Sequence, residues 1–115
     1  MSKTYHLNIL GSRWKLKVIP RSSDPMFGAY DGYTDRSIRT IYVADSNVRE
    51  AEDMKDWGSY LKIVKRHEII HAFLVESGLA QDMSHPDYGH DEQGIDWMAI
   101  QFPKMIEAFQ KAEAL

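Results

Sequence analysis

The sequence predicts an α+β fold in which a small antiparallel sheet from the N-terminal half packs on two helices from the C-terminal half. Two observations predict this class. Apolar and polar residues alternate along several segments before residue 45, as in half-buried strands, and from residue 60 onward apolar residues recur at helical spacing. The 115 residues are enough for one domain with its own core, so we expect a single domain over 1–115.

The first half contains the predicted strands. Residues 5–10 and 14–19 alternate and are joined through Gly11 and Ser12, which predicts a hairpin. Its inward side chains should be Tyr5, Leu7 and Ile9 on one strand and Trp14, Leu16 and Val18 on the other. Residues 27–34 fit either one bulged strand or a tight hairpin. Residues 37–44 are the clearest later strand, and residues 45–56 predict a loop or a short helix.

The second half contains the predicted helices. Residues 60–77 hold no proline, and Gly78 follows where a C-terminal cap is expected. A second helix should begin near residue 91, with Asp91 as its N-cap. Pro103 lacks a backbone N–H, so it should kink this helix or divide it.

Composition limits the classes of function. The chain is 43% hydrophobic and 27% charged, as in ordinary soluble proteins. It has no cysteine, which excludes disulfides and thiolate ligands. Its net charge of −3, without a basic stripe, argues against nucleic acid as a partner. No signal peptide or membrane-length apolar run is present, so we expect a cytoplasmic protein with no membrane partner.

Residues 67–71 carry the pattern His-Glu-x-x-His inside the first predicted helix. Positions four apart lie about 6 Å apart along a helix axis, so His67 and His71 can direct ring nitrogens to one Zn²⁺ ion. Both share a face with apolar Ile63 and Leu74, which predicts that the histidines point into the fold. Glu68 projects about 100° around from His67 and can reach a metal-bound water instead of the metal.

A catalytic zinc site has three protein ligands and one open position. The third ligand has seven candidates: Glu76, His85, Asp87, His90, Asp91, Glu92 and Asp96. Helix geometry excludes Glu76, which lies about 140° around from His71. Glu92 is the preferred ligand, with Asp96 one turn later as acceptor for the free N–H of a ligand histidine. His90 stays open as the substitute ligand, and either His90 or Tyr88 could donate a hydrogen bond to a developing oxyanion.

The pattern His67-Glu68-x-x-His71, followed by Glu92-x-x-x-Asp96, resembles the gluzincin zinc metallopeptidases. The small size is closer to the minimal ImmA/IrrE-type peptidases. Residues 65–79 and 96–103 also resemble small phage and prophage proteins of Gram-positive bacteria. The resemblance implies a zincin-like fold and one Zn²⁺ ion held by the two histidines and Glu92. It also implies that Glu68 is the base, that Asp96 supports a histidine, and that a peptide lies along an edge strand at 38–44.

Three functions are compatible with these observations. The first is a zinc-dependent peptide-bond hydrolase, in which Glu68 activates the metal-bound water to cut a peptide or protein substrate. The second is a catalytically silent zinc module with a structural or interaction role, in which the metal stabilises the fold. The third is a metal-free binding protein.

Overall fold

The computed structural model describes residues 2–46, 55–78 and 91–115. They form a four-stranded sheet and two helices, so the α+β class is confirmed. In the described part of the chain, no helix is long and apolar enough to cross a membrane. The elements are β1 (Lys3–Ile9), β2 (Ser12–Ile19), β3 (Gly32–Asp35), β4 (Thr40–Ala44), α1 (Trp57–Ser77) and α2 (Glu92–Lys111), with two short 3₁₀ turns at Arg21–Ser23 and Pro25–Gly28.

The sheet is mixed, and the prediction of a purely antiparallel sheet is wrong. The strand order is β1-β2-β4-β3, and β2 pairs with β4 in parallel while the other two pairings are antiparallel. After β2 the chain crosses through the two 3₁₀ turns to the far edge of the sheet. It then returns by the β3–β4 hairpin, so β4 lies beside β2 and runs in the same direction.

The β1–β2 hairpin forms as predicted, with a turn one residue earlier. Leu10 and Gly11 have φ values of 51° and 90°, the left-handed pair of a two-residue hairpin loop. The Asn8 side chain closes the turn by accepting a hydrogen bond from Gly11 N at 2.8 Å. The predicted inward residues of both strands belong to the core cluster or pack against it.

The region after the hairpin differs from its predictions. Residues 27–34 are neither one bulged strand nor a hairpin, because Phe27 lies in a 3₁₀ turn and only the end of the segment joins β3. The strand predicted at 37–44 begins at Thr40. It lies between β2 and β3, so β3 and β1 are the two edge strands and the edge assignment to 38–44 is wrong. Edge position depends on pairing between distant segments, which alternation does not encode.

Helix α1 packs against one face of the sheet, and the side of the helix that is buried there differs from the predicted one. The helix begins three residues before the predicted start, where Asp56 caps it by accepting from Ser59 N at 3.1 Å. Gly78 ends it with φ 84°, as predicted. The buried stripe is Val64, Glu68 and Ala72, spaced four residues apart. The predicted inward face lies beside this stripe, so the histidines face α2 rather than the sheet.

Helix α2 runs through Pro103 without division, which corrects that part of the prediction. A proline leaves the carbonyl four residues earlier without its helical donor, here that of Ala99. The Arg66 Nε of α1 donates to Ala99 O at 2.5 Å and supplies the missing bond. This contact ties α2 to α1 next to His67.

Candidate metal centre

Three donor atoms from two helices converge at the face between α1 and α2. They are Nε2 of His67, Nε2 of His71 and a carboxylate oxygen of Glu92, all within 4.8 Å of one another. The two Nε2 atoms are 3.2 Å apart. Glu92 Oε2 lies 3.2 Å from His67 Nε2, and Glu92 Oε1 lies 3.0 Å from His71 Nε2. The structure therefore brings together the two histidines and the preferred third residue.

These spacings fit a single small cation. Two ligands bound at 2.0–2.1 Å with tetrahedral angles lie about 3.3–3.4 Å from each other. The Nε2–Nε2 separation of 3.2 Å falls just below that value, and the two Nε2 atoms lie 3.2 and 3.0 Å from different oxygens of the Glu92 carboxylate. Two imidazoles and one carboxylate are also the donor set that zinc accepts in a site with an open position.

Asp96 determines which nitrogen of His67 faces the cluster. Its Oδ1 lies 2.6 Å from His67 Nδ1, and a carboxylate only accepts, so the ring proton is on Nδ1. The lone pair of Nε2 then points at the lone pairs of Glu92. A cation resolves this contact between acceptors.

The two sides of the cluster differ in exposure. The side chains of His67 and His71 are 14% and 13% exposed, whereas that of Glu92 is 64% exposed. The two histidines of α1 are therefore held by packing, and the cluster opens to solvent at the N-terminal end of α2. An ion at this position would have solvent access on one side.

Glu68 lies beside the cluster without belonging to it. It is 7% exposed, and its Oε2 is 3.9 Å from His67 Nε2. Burial raises the pKa of the Glu68 carboxyl, and the nearby carboxylates of Glu92 and Asp96 also raise it, while the Thr34 hydrogen bond and His67 act in the opposite direction. A buried carboxylate with a raised pKa suits the removal and return of a proton.

The sequence patterns did not indicate that Thr34 and Arg66 make contacts at the site. The Thr34 hydroxyl of β3 donates to Glu68 Oε1 at 2.8 Å, which fixes one carboxylate oxygen and leaves Oε2 on the side of the histidines. No local pattern signals this contact, because 34 positions separate the two residues. Arg66 had a usable signal, since Pro103 implies a free carbonyl at Ala99 that needs a donor.

The cluster lies in a cleft of about 920 Å³ between β3, α1 and α2. Its walls include Gly32, Thr34 and Arg36 along β3 and the turn after it. Gly32 is needed for the close approach of β3 to α1, because a Cβ there would lie 2.9 Å from Val64 Cγ1. The cleft volume falls within the range of ordinary ligand sites.

The other candidates for the third ligand or the oxyanion donor lie outside the cluster or outside the described residues. Tyr88 and His90 lie outside the described residues, as do His85 and Asp87. Asp91 occupies the N-cap position of α2, but its side chain makes no capping hydrogen bond. Glu76 lies away from the cluster and is held by other partners, in agreement with its exclusion.

Comparisons of the chain with protein-family models, with curated protein sequences and with solved structures found no match. The geometry and chemistry of the site therefore carry the functional conclusion.

Proposed function

We propose that this chain is a zinc-dependent peptide-bond hydrolase with a zincin-like arrangement, in which His67, His71 and Glu92 hold the ion and Glu68 is the catalytic base. One observation carries the proposal: three ligand-type atoms lie at the spacing of ligands on one ion, beside a buried carboxylate that is not part of the set. The resemblance to gluzincins assigns the same roles to the same four residues.

Zinc bound in such a site acts as a Lewis acid on the scissile carbonyl and lowers the pKa of bound water to about 7. The chain's own groups handle the protons. Glu68 takes a proton on Oε2, because Oε1 is engaged by Thr34, and returns it to the departing amine. Asp96 holds the Nδ1 proton of His67 and so keeps Nε2 available as a ligand.

The edge strand β3 gives an extended peptide a place to bind. Ala44 N donates to Asp31 O at 2.9 Å, so in the antiparallel register the alternate residues Gly32 and Thr34 turn their N–H and C=O groups away from β4. A peptide paired with these groups adds a strand to the sheet. Thr34 also touches Glu68, so the peptide would pass directly over the base.

The test is cleavage of a synthetic library of randomised peptides by the full chain, analysed by mass spectrometry. Protein stripped with a chelator should be inactive, and one equivalent of zinc should restore cleavage. Glu68→Gln should retain one zinc per chain and lose about 10²–10⁴-fold in rate, the usual contribution of a general base.

The matched control is Glu107→Gln, which makes the same change at an exposed residue paired only with Lys111 in the described structure. It should cleave like the wild type. Cleavage by Glu68→Gln at the wild-type rate would remove Glu68 from the mechanism. Zinc binding without any cleavage would exclude the hydrolase and favour the catalytically silent module.

A further inference from the structure

One end of the cleft carries a single permanently cationic side chain, that of Arg36. The other ionisable groups among the described lining residues are the two histidines, Tyr30, Tyr33 and Tyr60, and four carboxyl groups, those of Asp31, Glu68, Glu92 and Asp96. Arg36 lies in the turn between β3 and β4 and is exposed. A negatively charged group entering this cleft is therefore attracted to one end of it.

Asp35, the sequence neighbour of Arg36, and Glu76, which lines a second cleft together with Arg36, both have other partners. Asp35 accepts from the N and Oγ of Ser37 at 3.0 and 2.5 Å. Glu76 accepts from Arg39 and from two further donors on β2. Among the described residues Arg36 forms no ion pair, so its guanidinium is available to a ligand.

The turn presents Arg36 at a defined position. Arg39 N donates to Arg36 O at 3.4 Å, and Arg39 adopts φ 49°, the left-handed conformation that closes the turn. The Arg39 side chain is fixed to Glu76 at 2.5 Å, which ties the turn to the end of α1. The backbone that carries Arg36 is thus held from both sides.

The position of Arg36 relative to Thr34 indicates which part of a bound peptide the Arg36 side chain can reach. Thr34 is level with the base, because its hydroxyl contacts Glu68 Oε1. Arg36 follows two residues later, as the first residue of the turn after β3, and two residues of chain span at most about 7 Å. A guanidinium at this point reaches a peptide group about two to three residues from the bond beside Glu68.

We propose that Arg36 selects substrates by binding a peptide carboxylate about two to three residues from the cleaved bond. The planar guanidinium pairs with a carboxylate through two parallel N–H···O bonds. The carboxylate is either an Asp or Glu side chain or the C-terminus of the peptide. This assignment rests on the proposed function.

The experiment uses two randomised synthetic peptide libraries, one with free and one with amidated C-termini, and the zinc-loaded full chain. An acidic side chain as ligand gives enrichment of Asp and Glu at one fixed position in both libraries. A terminal carboxylate gives cleavage at a fixed distance from the end in the free library alone. The side of the enriched position reports whether the peptide runs parallel or antiparallel to β3.

Variants then assign the preference to Arg36. For a cleaved peptide and its counterpart lacking the carboxylate, the ratio of kcat/KM should be about five in the wild type, as expected of a partly exposed ion pair. It should fall to about one in Arg36→Gln, and Arg36→Glu should favour Lys or Arg at the same position. Arg13→Gln is the matched control, since Arg13 is an exposed arginine of β2 that does not line this cleft.

The outcomes separate the two proposals. Cleavage without any carboxylate preference, or a preference that survives Arg36→Gln, overturns the role of Arg36 and leaves the hydrolase standing. Failure of the wild type to cleave either library overturns the hydrolase, and the selection of substrates with it.

Discussion

Two carboxylates on one helix, Glu68 and Glu76, lie two turns apart in opposite surroundings. Glu76 accepts hydrogen bonds from Trp14 Nε1 at 2.7 Å and Ser12 Oγ at 2.9 Å, and it pairs with Arg39. These donors, Arg39 foremost, lower the pKa of the Glu76 carboxyl. Every contact favours the charged form, and the group joins β2, the β3–β4 turn and the end of α1.

Glu68 is buried and accepts fewer side-chain hydrogen bonds than Glu76 does. One hydroxyl donates to it, and burial, its largest influence, raises the pKa of its carboxyl. The difference shows what each acid can do. A carboxylate surrounded by donors holds elements together, whereas a buried carboxylate with one oxygen facing the histidines of the cluster can exchange a proton. Such local under-satisfaction is characteristic of functional sites rather than of structural ones.

The largest expected effect is the loss of hydrolysis in Glu68→Gln, compared with the same substitution at Glu76. Glu68→Gln should reduce hydrolysis about 10²–10⁴-fold, because the amide does not take up the proton. Glu76→Gln should leave hydrolysis of zinc-loaded, folded protein within about twofold of the wild type. Rates on one cleaved library peptide measure both. Equal losses in the two variants would remove the functional contrast between the acids.

The next effect concerns Asp96, the acid that contacts the proposed ligand His67. Asp96→Asn should weaken zinc binding about 10–100-fold, because the neutral amide oxygen holds the Nδ1 proton of His67 less strongly. Competition with a chromogenic chelator measures the affinity, and Glu107→Gln is the control. Wild-type affinity in Asp96→Asn would contradict this role.

A smaller effect should follow from removing the one donor to Glu68. Thr34→Val should lower kcat about tenfold, the cost of a lost hydrogen bond to a charged group. Because the Thr34 bond lowers the pKa of Glu68, its loss raises that pKa further. The acid limb of the pH–rate profile should therefore move to higher pH, while Thr34→Ser should retain the wild-type limb. An acid limb that moves to lower pH in Thr34→Val would contradict the proposed effect of the Thr34 hydrogen bond on Glu68.

The smallest effect is on stability, at Glu76. The folded pKa of this carboxyl is lowered, so its stabilisation is complete above the unfolded value and disappears as pH falls through the folded one. Glu76→Gln should thus unfold a few degrees below the wild type above about pH 5, and the gap should shrink in acid. Thermal unfolding at several pH values measures this. A gap independent of pH would assign the loss to packing instead of charge.

Local pattern predicted the hairpin, both helices, the His67/His71 pair on one helix and the Glu92/Asp96 pair on the other, because each depends on periodicity within one segment. That the two pairs lie together was implied by the resemblance and by the choice of Glu92 among seven candidates, not by periodicity. It did not predict the parallel pairing of β2 with β4 or the edge position of β3. Those depend on the path of the chain between distant segments, which no local alternation specifies.

The same limit applies to the contacts around the site. The sequence gives no sign of the hydrogen-bonding role of Glu76, since its donors on β2 and in the β3–β4 turn are more than thirty positions away. The flank of α1 that faces the sheet was misplaced because two adjacent faces of this helix are apolar. Only the sheet decides that Val64, Glu68 and Ala72 are the buried ones.

The most direct test of the metal centre is a crystal structure of the zinc-loaded chain, with anomalous differences measured at the zinc edge. The expected result is one peak per chain, about 2.0–2.2 Å from His67 Nε2, His71 Nε2 and one oxygen of Glu92. No peak at this position, or a peak coordinated by other residues, would contradict the proposed centre.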